Sequence, residues 1–401
     1  MRILIDIRHL ASPEPSGVGE YTRQLLRTLF EIDQKNEYVL FSSGKTKPSC
    51  HPERAQRVEG SQSASGSLHA SGLLAGLGRD DKITFVHLNQ PNKLLNLRTV
   101  FLHHPTINWQ IREPIDLIFL PNLNFVSLPH DIPTVLTVHD LSWKLFPEFY
   151  SHKMQLWHQM LRPEKLFAQS HRLITPSAST AQDLQDVFQI EPGRIKTIPH
   201  GIDPRFSPKM EARDHGVRSR YKLPKRFALF VGTLEPRKNV LGLIEGIKQY
   251  RLMSRDDLSL VLVGKWGWRS TQLRHRLWKR DVKDWVHHLG YVPPEDRPAL
   301  YRSANVLTWP SLYEGFGLPV LESMASGTPI ITSRTSSLPE LTQNAAILVD
   351  PYNPTDIADA LSQLLRSQPL QQRLKERGIT RAAEFSWKKT AQETLDIFKQ
   401  L

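Results

Sequence analysis

The sequence predicts an α/β protein built from two domains. Its 401 residues suit two domains of ordinary size. Short apolar runs rich in β-branched residues alternate with segments whose apolar residues recur at helical spacing, as in parallel sheets covered by helices. Three prolines and a glycine between residues 199 and 208 interrupt this alternation and indicate a hinge between the two halves.

Composition and charge narrow the class of protein. The chain is 39% hydrophobic and 23% charged, as is typical of soluble globular proteins. It lacks an apolar run long enough for a membrane span, and its N-terminus, M-R-I-L-I-D-I-R, indicates a first strand rather than a signal peptide. The single cysteine, Cys50, excludes a disulfide framework and a cysteine-based zinc site. We therefore expect a cytoplasmic protein.

The net charge of +12 favours an anionic partner. The basic residues are interspersed with acidic ones and form no dense tract, so nucleic acid ranks below a nucleotide or an acidic membrane surface. His103 and His104 are adjacent and cannot face one site from a helix, so we expect no metal site there.

The first half begins with a strand, a glycine loop and a helix. Ile3 to Ile7 form a predicted strand, and the loop that follows holds Gly17 and Gly19. Helical spacing begins at Tyr21. This order places a ligand at the carboxyl end of a parallel strand, but G-x-G without a third glycine makes a dinucleotide-dependent oxidoreductase a weak interpretation.

Further predicted strands and a long loop complete this half. Residues 42–80 are rich in serine and glycine and predict a mobile loop. His139 and Asp140 follow a buried strand that begins at Thr134, at the end of the sheet where ligands bind. A capping aspartate and a packed histidine would explain the same pair equally well. A single helix is predicted from Ser151 to Gln169.

The second half repeats the strand, loop and helix order. Phe227 to Val231 predict a strand, and the loop G-T-L-E-P-R-K-N follows, before a helix that begins at Val240. Arg237 and Lys238 therefore precede a helix N-terminus, where two cations oppose the helix dipole unless an anion is bound. We expect a phosphate there, although a solvated pair of cations is the alternative.

A glycine loop with two glutamates lies near the end of this half. Glu314 stands in the loop, and Glu322 lies on a predicted short helix that begins at Pro319. Glycines allow close approach of a ligand, free N–H groups attract a phosphate, and carboxylates accept hydrogen bonds from hydroxyls. The combination suggests a nucleotide-sugar, whereas the glutamate spacing alone is more often a solvated surface loop.

Six stretches together resemble one enzyme family. They are S-G-V-G-E-Y-T, V-H-D-L, I-P-H-G-I-D-P-R-F, V-G-T-L-E-P-R-K-N, L-G-Y-V and Y-E-G-F-G-L-P-V-L-E-S-M-A-S-G-T-P-I-I. In this order, and over nearly the whole length, they resemble the retaining nucleotide-sugar glycosyltransferases of family 4, also called group 1, in their mannosyltransferase-like branch. Each stretch is a weak signal by itself, and the six in family order are a strong one.

The resemblance implies the glycosyltransferase B-type fold, in which two Rossmann-like domains face each other across a cleft. It implies an N-terminal acceptor-side domain over residues 1–203 and a donor-binding domain over residues 204–383. Residues 384–401 would then cross back to the N-terminal domain as a helix.

The resemblance also implies roles for individual residues. Glu314 would bind the sugar hydroxyls, Glu322 the ribose, and His139 would lie near the transferred sugar. Lys238 would bind the diphosphate, and Arg237 would replace a family arginine at the position that Thr233 occupies here. The remaining implied donor-binding residues are Gly17, Gly19, Gly290, Tyr291, Val292, Gly315, Phe316, Gly317 and Leu318.

The expected reaction is transfer of a hexose with retention of configuration, without a metal or other cofactor, because no D-x-D motif is present. The resemblance ranks GDP-mannose first as donor, with glucose or rhamnose donors next. The expected acceptor is a glycan or a polyprenol-linked oligosaccharide in bacterial surface polysaccharide synthesis, with peripheral docking on the anionic inner membrane. A sugar-nucleotide epimerase and a noncatalytic nucleotide-sugar-binding protein are the alternatives.

Overall fold

Two parallel β-sheets organise the chain, which confirms the predicted α/β class. The computed structural model describes residues 1–11, 17–44, 82–102 and 104–401. Cys50, His103 and all but the start of the predicted loop at 42–80 lie outside these residues. The prediction of a mobile loop is therefore untested.

The first sheet has seven strands in the order β3-β2-β1-β4-β5-β6-β7. Its strands are β1 Arg2–Asp6, β2 Glu37–Ser43, β3 Ile83–Leu88, β4 Leu117–Leu120, β5 Thr134–Thr137, β6 Arg172–Thr175 and β7 Ile195–Thr197. Its helices are α1 Gly17–Ile32, α2 Asn92–Leu102, α3 Ser142–Leu145, α4 His152–Leu161, α5 Pro163–Gln169 and α6 Ala178–Phe188. The central strands are apolar along their whole length because helices cover both faces.

The second sheet has six strands in the order β10-β9-β8-β11-β12-β13. Its strands are β8 Phe227–Val231, β9 Ser259–Val263, β10 Val286–Gly290, β11 Val306–Trp309, β12 Ile330–Ser333 and β13 Ile347–Val349. Its helices are α7 Arg213–Arg220, α8 Val240–Ser254, α9 Thr271–Leu277, α10 Arg297–Ser303, α11 Leu318–Ala325, α12 Leu338–Thr342, α13 Pro354–Leu365 and α14 Gln368–Ala382. A final helix, α15, spans Trp387–Phe398.

Two predicted elements differ from the structure. The glycines of the first motif are helical, since α1 begins at Gly17 and includes Gly19. The predicted helix from Ser151 to Gln169 is two helices, α4 and α5. Arg162 between them has a φ of 50°. Pro163 explains the break, because proline lacks an N–H and disfavours helical backbone in the residue before it.

The C-terminal helix α15 packs on the N-terminal domain. Phe398 is fully buried in the core that α1 and the first sheet form, with its ring centroid 5.3 Å from that of Phe119. The crossing segment meets the hinge, because Ile202 forms a parallel bridge with Ser386. At Gly201 an added Cβ would come within 2.1 Å of the Trp387 backbone nitrogen, so a side chain has no room there.

Within the described part of the chain, none of the helices has the length and apolar character needed to cross a bilayer. The domain boundaries at residues 203 and 383 remain predictions.

Candidate active site

A cavity of about 350 Å³ lies between the domains. The carboxyl ends of β8, β9 and β10 border it from one side and the first turn of α1 from the other. Open α/β sheets bind ligands at this end of their strands. The lining residues are Gly17, Glu20, Val231, Gly232, Thr233, Val263, Gly264, Lys265, Tyr291, Val292, Arg297, Leu318, Pro319 and Glu322.

Glu322 presents a buried carboxylate to this interdomain cavity. Helix α11 holds it, and the hydroxyl of Tyr301 donates to its Oε2 at 2.6 Å. Its Oε1 lies 3.9 Å from Arg297 Nη1, beyond hydrogen-bond distance. Burial raises the pKa of Glu322, and the nearby charge of Arg297 opposes that rise. Oε1 is thus positioned to accept a hydrogen bond from a ligand hydroxyl.

Three charged residues of the cavity were missed by the sequence analysis: Glu20, Lys265 and Arg297. Lys265 directly follows the Val263 to Gly264 strand end, and its Nζ lies 5.3 Å from the centre of the Tyr291 ring. Its position at a strand end was a usable signal. Arg297 Nε is buried and has no hydrogen-bond partner within the described residues. No sequence motif pointed to Arg297.

Glu314 and Lys238 form a buried ion pair beside the cavity. Lys238 Nζ donates to both carboxylate oxygens of Glu314, at 2.6 and 2.8 Å. The indole Nε1 of Trp309 donates to Oε1 at 3.0 Å. The Lys238 ammonium also lies 5.0 Å from the centre of the Trp309 ring. The 3₁₀ turn Pro236–Lys238 after β8 therefore meets the end of β11 through charge and ring contacts.

Arg237 joins this pair to two further carboxylates. Its Nη1 donates to Glu314 Oε2 at 3.1 Å, and its Nη2 donates to Glu235 Oε1 at 2.8 Å. Asp140 of the N-terminal domain lies 3.8 Å from Nη1. The cations predicted to bind phosphate are thus held by three acids in the described structure. We name Glu314, Lys238 and Arg237 the ion cluster.

Burial and charge act in opposite directions on the ion cluster. Burial alone would raise the pKa of Glu314, but Lys238 and Arg237 outweigh it and hold this pKa below its ordinary value. Burial and the adjacent Arg237 lower the pKa of Lys238. The pKa of Arg237 is raised because Glu314, Glu235 and Asp140 outweigh burial. Ionised Glu314 therefore stabilises both cations in their charged forms.

The glycine loop after Glu314 docks onto the N-terminal domain. An added Cβ at Gly315 would come within 1.8 Å of the His139 carbonyl oxygen, so only glycine fits there. The Gly315 carbonyl accepts a hydrogen bond from Ser177 Oγ at 2.7 Å. The backbone N–H groups of Gly315, Phe316 and Gly317 donate to no acceptor among the described residues. They are available to a ligand.

A second contact between the domains lies beside this loop. The Tyr313 hydroxyl donates to Asp183 Oδ2 at 2.5 Å. Glu340 accepts hydrogen bonds from the backbone N–H groups of Ala178 and Ser179 at 2.9 and 3.2 Å, at the N-terminus of α6. A carboxylate is favourable at that position because of the helix dipole. These contacts hold the cleft in a closed arrangement.

His139 is oriented by the N-terminal domain. Its Nε2 lies 2.9 Å from the carbonyl oxygen of Pro121, which can only accept, so Nε2 carries the proton. Burial lowers the pKa of His139 to about 4, so the ring is neutral at pH 7. The Tyr21 ring contacts it edge-on at 4.8 Å. Nδ1 remains as an acceptor and makes no hydrogen bond within the described residues.

An aromatic cluster lies beneath the loop where hinge, loop and crossing segment meet. The buried His200 ring lies 4.6 Å from that of Tyr21 and 4.8 Å from that of Phe316. Trp387 stacks on His200 at 6.0 Å. The sequence analysis named Phe316 only for its backbone. The structure shows that its side chain also packs between the domains.

The structure brings many, but not all, of the predicted site residues to one cavity. Gly17, Thr233, Tyr291, Val292, Leu318 and Glu322 line it. Glu314, Lys238, Arg237 and His139 lie outside its lining. Gly19 lies inside α1 and Gly290 ends β10, with a φ of 71°. Gly315, Phe316 and Gly317 connect the ion cluster to the cavity wall at Leu318. The predicted glycine loop at residues 17 and 19 is wrong, because both are helical.

Two family models match this chain. That of Glycosyl transferases group 1 matches residues 217–381, and that of Glycosyltransferase Family 4 matches residues 15–206. O-antigen chain mannosyltransferase B of Escherichia coli is 30% identical over 395 residues, which are 96% of each chain. MMP alpha-(1->4)-mannosyltransferase of Mycolicibacterium hassiacum is 32% identical over 249 residues, 61% of this chain and 58% of that protein.

Solved structures with the same fold include glycosyltransferases of the B type. Sucrose-phosphate synthase from Thermosynechococcus elongatus superposes with a TM-score of 0.73 at 20% identity, covering 100% of this chain and 98% of the other. WaaG, a glycosyltransferase involved in lipopolysaccharide biosynthesis, gives 0.69 at 15% identity, covering 98% and 99%. These likenesses confirm two Rossmann-like domains across a cleft. With the family matches, they show that this chain is a glycosyltransferase and belongs to group 1.

Proposed function

We propose that the enzyme transfers mannose from GDP-mannose to a glycan or polyprenol-linked acceptor during synthesis of a bacterial surface polysaccharide. One observation supports a nucleotide-sugar donor above others: the cavity wall from Leu318 to Glu322 continues directly from the loop that Glu314 begins. A nucleoside in the cavity would place its diphosphate toward the free N–H groups of that loop. The names of the mannosyltransferase relatives support the choice of mannose.

Within this proposal the cavity residues hold the nucleoside. The exposed Oε1 of Glu322 accepts a ribose hydroxyl, and Tyr301 fixes the orientation of that carboxylate. The backbone from Gly290 to Val292 contacts the base. Arg297, whose Nε is unpaired among the described residues, supplies a donor to the nucleotide. The first turn of α1, with Gly17, closes the cavity from the acceptor side.

The ion cluster stabilises the leaving diphosphate. Departure of GDP leaves negative charge on the phosphate and positive charge on the anomeric carbon of the sugar. Lys238 and Arg237 are fixed by Glu314 before the donor arrives, so little reorganisation is needed as that charge develops. Positive side chains would then do what a metal does in other transferases, and we propose a metal-independent reaction.

His139 positions the transferred sugar. A neutral ring that donates from Nε2 to Pro121 presents Nδ1 as an acceptor for a sugar hydroxyl. The acceptor hydroxyl attacks from the face that the diphosphate leaves, and the departing phosphate takes its proton. This order retains the anomeric configuration and needs no protein nucleophile. Closure of the cleft through Gly315 and Ser177 excludes water from the reacting centre.

The test is transfer from a panel of GDP-, UDP-, ADP- and dTDP-sugars to a soluble mannoside acceptor. We expect product from GDP-mannose, an α-linkage by NMR, and unchanged rates in EDTA. Lys238→Ala and Glu322→Gln should each lower kcat/KM about 100-fold or more. The exposed Lys283 is the matched control, and Lys283→Ala should behave as wild type. Transfer from another donor only, or inversion, would contradict the assignment, and a new isomer from donor alone would indicate an epimerase.

A further inference from the structure

Helix α2 carries an apolar stripe on its outer face. Leu94, Leu97 and Phe101 are 48%, 51% and 67% exposed, and Leu102 is 67% exposed. The first three recur at positions i, i+3 and i+7 and therefore share one side of the helix. Leu95, Thr99 and Val100 on the other side are buried against the N-terminal core. The stripe thus faces outward because the opposite face already packs on the protein.

A groove of about 330 Å³ lies beside this stripe, between α2 and the junction of α4 with α5. Val100, Phe125, Leu128 and Leu166 contribute its apolar walls. Trp157 of α4 is 41% exposed, and its ring contacts that of Phe125 at 5.2 Å. Leu156 beside it is 56% exposed. The stripe and the groove therefore form one continuous apolar surface across α2 and α4.

Cations border this surface. Lys93 and Arg98 lie on α2, and Arg162 and Lys165 line the groove. None of these four side chains forms an ion pair or hydrogen bond with a residue in the described ranges, whereas other arginines of the chain, such as Arg205 and Arg302, are paired. Glu164 is the one carboxylate within α2, α4 and α5. The surface is therefore apolar with unneutralised positive charge.

We propose that α2 and the groove beside it dock on a bilayer of anionic lipids. Leucine, phenylalanine and tryptophan side chains insert at the boundary between headgroups and acyl chains, and lysine and arginine contact the lipid phosphates. A second copy of this chain fits the surface less well, since it would bring the same cations together. The inference rests on the proposed function only in that a polyprenol-linked acceptor would lie in such a bilayer.

The test is co-sedimentation of the full chain with vesicles of phosphatidylcholine alone or mixed with phosphatidylglycerol. We expect binding to the mixed vesicles only, and release by salt. The triple variant L94S/L97S/F101S removes the stripe, and K93E/R98E reverses the charge. Each should weaken binding about tenfold or more. The matched control is L252S/M253S, which removes two side chains of α8 that are 72% and 58% exposed.

Transfer to a soluble acceptor serves as the fold control for each variant, since none of the changed residues lies near the cavity or the ion cluster. Equal binding to both vesicle types, or wild-type binding by the triple variant, would overturn the proposal. Dissociation of a dimer by the triple variant, seen by light scattering, would assign the surface to a second copy instead. Transfer without vesicle binding would defeat the docking alone. Vesicle binding without transfer from any sugar-nucleotide would defeat the proposed function alone.

Discussion

Both carboxylate oxygens of Glu314 accept hydrogen bonds from Nζ of Lys238, at 2.6 and 2.8 Å, in a site where both residues are buried. Arg237 and Trp309 donate to the same carboxylate. Glu314 is thus a support for the cations in this structure. Its predicted contact with sugar hydroxyls remains a prediction, and it would require a shared or rearranged carboxylate.

Replacing Glu314 should therefore affect stability as well as activity. Glu314→Gln leaves Lys238 and Arg237 buried with less compensating charge, and the free energy of unfolding should fall by about 3 kcal/mol. Urea unfolding measures this change. The second change in Glu314→Gln/Lys238→Met removes one orphaned cation, so the double variant should lose less than the sum of the single ones. Strictly additive losses would show that the pair is not coupled. Glu393→Gln, at an exposed position, is the control.

Gly315→Ala should open the cleft. The new methyl group would overlap the His139 carbonyl oxygen at 1.8 Å, and because that oxygen belongs to the other domain, the domains must separate. We expect a larger radius of gyration in X-ray scattering and a loss of kcat/KM of about 100-fold. Gly193→Ala is the matched control, because an added Cβ there meets no atom within 4 Å. Unchanged scattering and activity in Gly315→Ala would contradict the close approach.

His139 should make the protein less stable in acid. Burial lowers its pKa in the folded state to about 4, below the ordinary 6.5. Between these values the unfolded chain binds a proton that the folded chain does not, so stability is full above about pH 6.5 and falls as the pH drops toward 4. Urea unfolding at pH 7 and pH 5 should show a loss that is about 1–2 kcal/mol smaller in His139→Gln than in wild type. The exposed His215 is the control, and identical losses in wild type and His139→Gln would refute the assignment.

Phe398→Ala tests the crossing of the C-terminal helix. Phe398 is fully buried against Phe119 in the N-terminal core, so its truncation should cost about 3–5 kcal/mol. The loss should appear in the N-terminal domain, where limited proteolysis should cut first. Leu401→Ala is the control, because Leu401 is 36% exposed at the chain end. Equal proteolysis of Phe398→Ala and wild type would be inconsistent with this packing.

Regular elements were predictable because their signals are local. The strands that begin at Phe227 and Thr134 are continuous apolar runs, which only a doubly covered parallel sheet accommodates. The turn before Pro319 and the helix that holds Glu322 follow from glycine and proline preferences. Where the local pattern was ambiguous it misled. Helical spacing continued across Pro163, and the glycines at 17 and 19 suggested a loop although they begin a helix.

The sequence by itself determined the two α/β halves, the motif order and therefore the family, since each depends on residues near one another in the chain. Tertiary structure alone decided the partners. Lys238 and Glu314 are 76 residues apart, Gly315 and His139 belong to different domains, and no local pattern reports such distances. Arg297 and Lys265 reach the cavity for the same reason, because the sheet order brings strand ends together that the chain separates.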